Sequence, residues 1–173
     1  MIAGTAILGS ARSDGNTASV LEAVLGDSGF GVIDLSQREI AHYKYRSEAA
    51  TDDFLAIARR LVESPVIVMA TPVYWYAMSG RMKVFFDRLT DLTSRHKEMG
   101  RSLAGKTMLL VTSSTEATLP LGFEEPFRAS SDYLNMKFGG AFHGWCPNGA
   151  PPGPDVLAAA KAFGEGLWRG DLS

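Results

Sequence analysis

Between Gly9 and Thr17 the chain reads Gly-Ser-Ala-Arg-Ser-Asp-Gly-Asn-Thr, a run of hydroxyl, amide and guanidinium donors broken by glycine. Those residue types suit an anion. An apolar run (Ile2, Ala6, Ile7, Leu8) precedes the segment and a helical pattern (Val20, Leu21, Val24, Leu25) follows it, as expected of a strand-to-helix turn. Amides at a helix start have no intrahelical acceptor, and the helix dipole favours negative charge there. Ser10, Asn16 and Thr17 can add side-chain donors, Arg12 a full positive charge, and Gly15 room for close backbone approach. The turn lacks the Gly-x-Gly-x-x-Gly of dinucleotide folds and the Gly-Lys-Ser/Thr of nucleoside triphosphatases, so it fits a terminal phosphomonoester better than a pyrophosphate. The same residues would also serve a plain helix cap, with Ser10 and Asn16 on the amides and Arg12 in solvent.

A second stretch, Thr71-Pro72-Val73-Tyr74-Trp75-Tyr76-Ala77-Met78-Ser79, follows another apolar run. Three consecutive aromatics cannot all enter a core from a turn. They suit a flat conjugated ring, a subunit interface rich in Tyr, Trp and Met, or packing against neighbouring loops. A third polar cluster, Ser113-Ser114-Thr115, ends a further apolar run.

Acid–base candidates are few. His42 and His96 lie in polar stretches, whereas His143 ends an apolar run and fits either a ligand contact or a structural role. Asp52 and Asp53 suit a helix N-terminus, and Asp87 and Asp91 lie one turn apart on a polar face. No catalytic side chain and no metal ligand set is assigned. The one cysteine, Cys146, allows neither an intrachain disulfide nor a cysteine cluster, and reads as a packed or idle thiol.

The elements that must position these groups alternate. After the first strand and helix, 30–35 reads as a short strand, and Ser36 to Thr51 (with Arg38, Glu39, His42, Lys44, Arg46 and Glu48) as an exposed excursion. A helix is expected from about Asp52, with Phe54, Ile57, Ala58, Leu61 and Val62 on one face. The run 65–70 predicts a strand buried on both faces. It is followed by the aromatic loop and then a helix capped by Ser79 and carrying Met82, Phe85, Phe86 and Leu89. The polar segment 93–105 is expected to loop outward. Strands over 107–112 and 137–142 flank a helix over 123–134, in which Pro126 fits only the first turn. Pro154 opens a last helix with Val156, Ala160, Phe163 and Leu167 on its apolar face. This is an α/β pattern with a parallel sheet and helices on both faces.

At 173 residues the chain is expected to form one domain, 1–173, with no repeat or linker. Apolar residues at 46% and charged residues at 21% are those of a globular protein, and a net charge of -2 gives no electrostatic case for nucleic acid or anionic membrane. No long apolar span is present, so a cytoplasmic location is expected.

Ligands of such sheets sit at the carboxyl ends of the strands, where the winding reverses; in the flavodoxin-like order 2-1-3-4-5 this is the switch point between strands one and three, where FMN lies. The two unusual loops follow those same strands. A phosphate site in one, a planar site in the other and polar groups at 113–115 together suit flavin mononucleotide, whose chemistry requires no protein acid, base or nucleophile.

Two motifs, Gly9-Ser10-x-Arg12-x-x-Gly15-Asn16-Thr17 and Thr71-Pro72-Val73-Tyr74-Trp75-Tyr76-x-Met78-Ser79-Gly80-x-Met82-Lys83-x-Phe85-x-Asp87-Arg88, resemble the NADPH-dependent FMN reductase branch of the flavodoxin-like superfamily. The resemblance implies a five-stranded doubly wound sheet and noncovalent FMN. The phosphate would lie with Ser10, Arg12, Gly15, Asn16 and Thr17, and the ring along Pro72, Val73, Tyr74, Trp75, Tyr76, Met78 and Ser79. Further contacts would come from Ser113, Ser114 and Thr115. It also implies NADH or NADPH as hydride donor, a quinone, flavin or similar aromatic as acceptor, and a homodimer or homotetramer. Some relatives carry a cysteine cluster before the second helix; here that region reads His42-Tyr43-Lys44-Tyr45-Arg46-Ser47-Glu48, so no iron–sulfur centre is expected. Two readings compete with an oxidoreductase: a flavodoxin-type electron carrier, whose acidic docking face this nearly neutral chain does not suggest, and a non-catalytic FMN-binding module.

Overall fold

In the computed structural model residues 4–45 and 51–169 are described. Ile2, Arg46, Ser47 and Glu48, used in the sequence reading, lie outside them. Nine-residue and shorter strands alternate with helices: β1 Gly4–Leu8, α1 Asn16–Leu25, β2 Gly31–Asp34, α2 Phe54–Glu63, β3 Val66–Tyr74, β4 Ala77–Met78, α3 Gly80–Ser94, α4 Lys97–Arg101, β5 Thr107–Ser114, α5 Glu125–Tyr133, β6 Lys137–Trp145 and α6 Pro154–Arg169. The main sheet runs β2-β1-β3-β5-β6, parallel throughout, and β4 pairs antiparallel with β3. Setting that short β4 aside, this is the expected doubly wound, flavodoxin-like order.

Alternation along the buried strands feeds two cores. Ile7, Met69, Met108 and Leu110 meet Phe54, Phe85, Leu92 and Phe127 of α2, α3 and α5 on one face. Ala6, Val68, Leu109 and Val111 meet Val20, Leu21, Val24 and Ala160 of α1 and α6 on the other. The sheet is covered on both sides, which explains why its central strands read as unbroken apolar runs.

Three expectations are corrected, and the start of α2 is made exact. The stretch 71–79 is a β-hairpin and not an open loop: β3 continues to Tyr74, and Val73 and Tyr74 pair with Met78 and Ala77. The two residues at its tip, Trp75 (φ 48°) and Tyr76 (φ 66°), both adopt left-handed backbone, as a tight two-residue hairpin demands. The segment 93–105 does not loop outward. The Arg95 and His96 amides both donate to Asp91 O (3.0 and 2.8 Å), closing α3, and α4 then packs with buried Gly100 and Leu103 below it. Helix α2 begins at Phe54 because the preceding carboxylates are occupied: Asp52 accepts from the Phe54 and Ala41 amides (3.1 and 2.9 Å) and Asp53 from that of Glu39 (2.9 Å). Finally, β5 and β6 run past 112 and 142 because Ser113 pairs with Gly144 and Ser114 with Trp145, carrying the sheet to the lip of the site.

In β6 the register slips between Met108 and Leu110 of β5, so that Gly139 and Gly140 accommodate one extra residue. Gly140 sits at φ 117°, a conformation that strains any residue with a side chain, and a methyl group on Gly139 would lie 2.6 Å from Thr107 Cγ2.

Candidate functional site

The carboxyl ends of β1, β3 and β5 meet in one hollow of about 160 Å³. Ser10, Arg12, Gly15, Asn16 and Thr17 line it from the β1–α1 turn, Pro72, Val73 and Tyr74 from β3, and Ser113, Ser114 and Thr115 from β5. The winding reversal thus brings together eleven of the fifteen residues singled out in the sequence.

The β1–α1 turn is built to leave donors unspent. Gly15 is the N-cap of α1 and no side chain caps the helix, so Ser10 and Asn16 do not act as plain caps. Ser19 is the first residue of the turn to donate back, to Gly15 O (3.1 Å), and the amides of 16–18 precede the helical ladder. The Arg12 side chain folds over Gly15: a methyl group there would lie 3.5 Å from Arg12 Nε. Ser10, nearly buried, accepts from the Arg12 amide (3.4 Å).

Two bridges fix the turn against its neighbours. The Thr17 and Ser113 hydroxyls lie 2.7 Å apart. Ser79 caps α3 by accepting from the Met82 amide (3.1 Å), while its hydroxyl donates to Gly9 O and its amide donates to Thr71 Oγ1 (3.0 Å). Gly9 must be bare at this contact, since a methyl group would come within 2.9 Å of Met82 Cβ. Ser79 therefore stands behind the hollow, with its polar atoms committed to joining the β1 and β3 loops.

The aromatic stretch divides. Tyr74 lines the hollow and is half exposed; Trp75 and Tyr76 project from the hairpin tip at 93% and 75% exposure; Met78 turns toward a groove between α3 and α5. At the other end lies a wall that the sequence reading missed. The Asn16 amide donates to Ala150 O (2.8 Å) and Gly149 O (3.4 Å), which draws the β6–α6 loop over the turn and brings Cys146 and Gly149 to the hollow. Burial pushes the Cys146 thiol pKa up, opposed by its hydrogen bond to Asn16. The Gly/Pro-rich composition of 147–153 was the available signal.

His143 stands in β6, with Nε2 2.7 Å from Ser114 Oγ, and burial lowers its pKa. Burial pushes the Asp34 carboxyl up, but hydrogen bonds from Ser13 and Ser36 and the charge of Arg81 hold it below the usual range. Among the described residues no group of three or more His, Cys, Asp or Glu is placed to hold a metal ion.

Residues 5–136 match the family described as NADPH-dependent FMN reductase. The chain belongs to that family. As a member of the FMN reductase family it resembles YwqN of Bacillus subtilis (strain 168), whose name describes an NAD(P)H-dependent FMN-containing oxidoreductase. The two are 31% identical over 88 residues, covering 47% of this chain and 49% of YwqN. An iron–sulfur flavoprotein of Archaeoglobus fulgidus is 34% identical over 107 residues, covering 55% of this chain and 49% of that protein. The matches thus span about half the length of these two relatives. Among solved structures, the Trp repressor binding protein from Bacillus subtilis superposes with a TM-score of 0.74 at 26% identity, over 92% of this chain and 98% of that one.

Proposed function

We propose that this member of the FMN reductase family is an FMN-dependent NAD(P)H oxidoreductase that passes a hydride from NADH or NADPH to a small acceptor such as a quinone or a flavin. The observation that carries the reading is the convergence of an anion cradle, a peptide edge and a hydroxyl cluster on one hollow at the switch point of the sheet.

The donor set fits the cofactor. First-turn amides, the Arg12 guanidinium and the Ser10 and Thr17 hydroxyls suit a phosphomonoester, and Gly15 lies bare beneath the Arg12 side chain. Pro72, Val73 and Tyr74 would border the ring, with Trp75, Tyr76 and Met78 at its outer margin. Ser79 would act through the loops it joins, and Ser113, Ser114 and Thr115 would form the β5 wall of the flavin site. When bound, FMN supplies hydride transfer, so no side chain of this chain is required as a nucleophile. The protein's part is to hold the phosphate, orient the ring and leave one ring face open. A homodimer or homotetramer in the cytoplasm completes the proposal; no helix among the described residues is long and apolar enough to cross a membrane.

The test is direct. Purified protein loaded with FMN is mixed anaerobically with NADH or NADPH, and bleaching of the flavin absorbance is followed by stopped flow. Rapid bleaching with either donor is expected. A flavin that binds and stays oxidised with both would favour an electron carrier or a binding module.

A further inference from the structure

Ser113 and Ser114 are neighbours on β5 and therefore look to opposite faces of the sheet. Ser113 meets Thr17 on the α1 face. Ser114 turns the other way, with its Oγ 3.0 Å from Glu116 O and 2.7 Å from His143 Nε2. A carbonyl oxygen only accepts, so the single Ser114 proton points to Glu116, and His143 must be the donor in the second contact. The ring then carries its proton on Nε2 and leaves Nδ1 bare. Burial favours that uncharged ring.

The pair touches the site, since Ser114 lines the hollow. The same corner holds a second polar group that is not spent. Thr112, the register partner of His143, is fully buried, and its hydroxyl has no hydrogen-bond partner among the described residues. A neutral histidine joined to a serine on a ligand cleft, beside an unpaired hydroxyl, is more polar machinery than packing requires.

We propose that Ser114 and His143 form a proton relay to the acceptor, a step that rests on the function proposed above. A quinone that accepts a hydride from reduced flavin gains two electrons and one hydrogen, and one of its oxygens is left with negative charge. Ser114 turns its O–H from Glu116 and gives that proton to the oxygen, completing the hydroquinone. The Nε2 proton of His143 passes to Ser114 Oγ, and Nδ1 takes a proton from water. The ring starts and finishes neutral with its tautomer exchanged, and the net change is one solvent proton moved to the product. His143 is the positioning and reloading partner, and Ser114 the group that touches the acceptor.

The experiment compares two oxidants of the same protein. FMN-loaded protein is reduced with dithionite and mixed anaerobically with benzoquinone, which needs a proton, or with ferricyanide, which takes single electrons and needs none. For His143→Gln and Ser114→Ala the ratio of the quinone rate to the ferricyanide rate is expected to fall by about 100-fold. An equal fall with both oxidants, or no fall, overturns the relay. Reduction by dithionite separates this test from the nucleotide test, so a protein that neither NADH nor NADPH reduces still reports on the pair. A second arm uses nitrogen-15 NMR of the FMN-free protein: the Nε2–H tautomer is expected, and an Nδ1–H tautomer would overturn the assignment.

Discussion

The hydroxyls of Thr17 and Ser113 lie 2.7 Å apart, joining the first turn of α1 to the tip of β5 across the floor of the cleft. Both side chains are buried, so neither can turn to water when the other is removed. Thr17→Val or Ser113→Ala should each cost about 1–3 kcal/mol, because a buried hydroxyl loses its partner. The double variant should cost less than the sum. Urea unfolding of the four proteins measures the coupling, and strict additivity would show that the pair is not a bond in solution.

Arg12 is exposed yet folded over Gly15, where a phosphate would meet it. Arg12→Ala should weaken FMN binding by about 1.5–3 kcal/mol, the usual loss for a charge-assisted hydrogen bond. Riboflavin, which lacks the phosphate, should bind both proteins alike. Flavin fluorescence titrations give both affinities, and an equal loss for the two ligands would place Arg12 against the ring and not the phosphate.

Arg88 joins three elements from within the fold. It pairs with Asp52 and Asp91, donates to Ala41 O (3.0 Å) and lies 4.7 Å from the centre of the Phe54 ring. Arg88→Met should destabilise the protein by about 3–5 kcal/mol, since it removes the buried cation that Asp52 and Asp91 share and leaves Asp52 without a charged partner and Asp91 with Arg95 alone. Burial pushes the Asp52 carboxyl up, but Arg88 and the amides of Ala41 and Phe54 outweigh it and hold its pKa below the usual carboxylate range. A lowered native pKa contributes stability that is present above the unfolded value and lost as pH falls through the native one. Wild-type stability should therefore drop on acidification below about pH 4, and its advantage over Arg88→Met should shrink there. Urea melts at pH 7 and pH 3 test both statements.

The hairpin tip is strained, with two side-chain-bearing residues in left-handed backbone. Such conformations cost on the order of 1–3 kcal/mol each, and Asn-Gly adopts them readily. Replacing Trp75-Tyr76 by Asn-Gly should raise the thermal midpoint while weakening riboflavin binding, if the aromatics border the ring. A higher midpoint with unchanged riboflavin affinity would leave the tip without a part in flavin binding.

The sequence foretold the succession of strands and helices and the donor-rich turn between β1 and α1 because both rest on local signals: apolar runs of strand length, and donors bunched ahead of a helical period. Ser79 was legible as a cap for the same reason. The hairpin was hidden because Trp-Tyr carries none of the Asn-Gly chemistry by which such turns are known. Helix α4 was masked by its charges, since Lys97, Glu98 and Arg101 read as loop while only Gly100 is buried within it. The wall over the β1–α1 turn depends on Asn16 reaching Ala150, a partner 134 residues away that no local pattern announces.

One inserted glycine decides what the far edge of the cleft is made of. Without the slip in β6, every side chain beyond it would exchange sides: Phe142, now packed at a tilt against Phe163 of α6, would face α5, and His143 would point into the apolar seam of α1 and α6. Shortening that strand by a single residue would thus turn a hydrophilic rim into a greasy one without altering any residue on it.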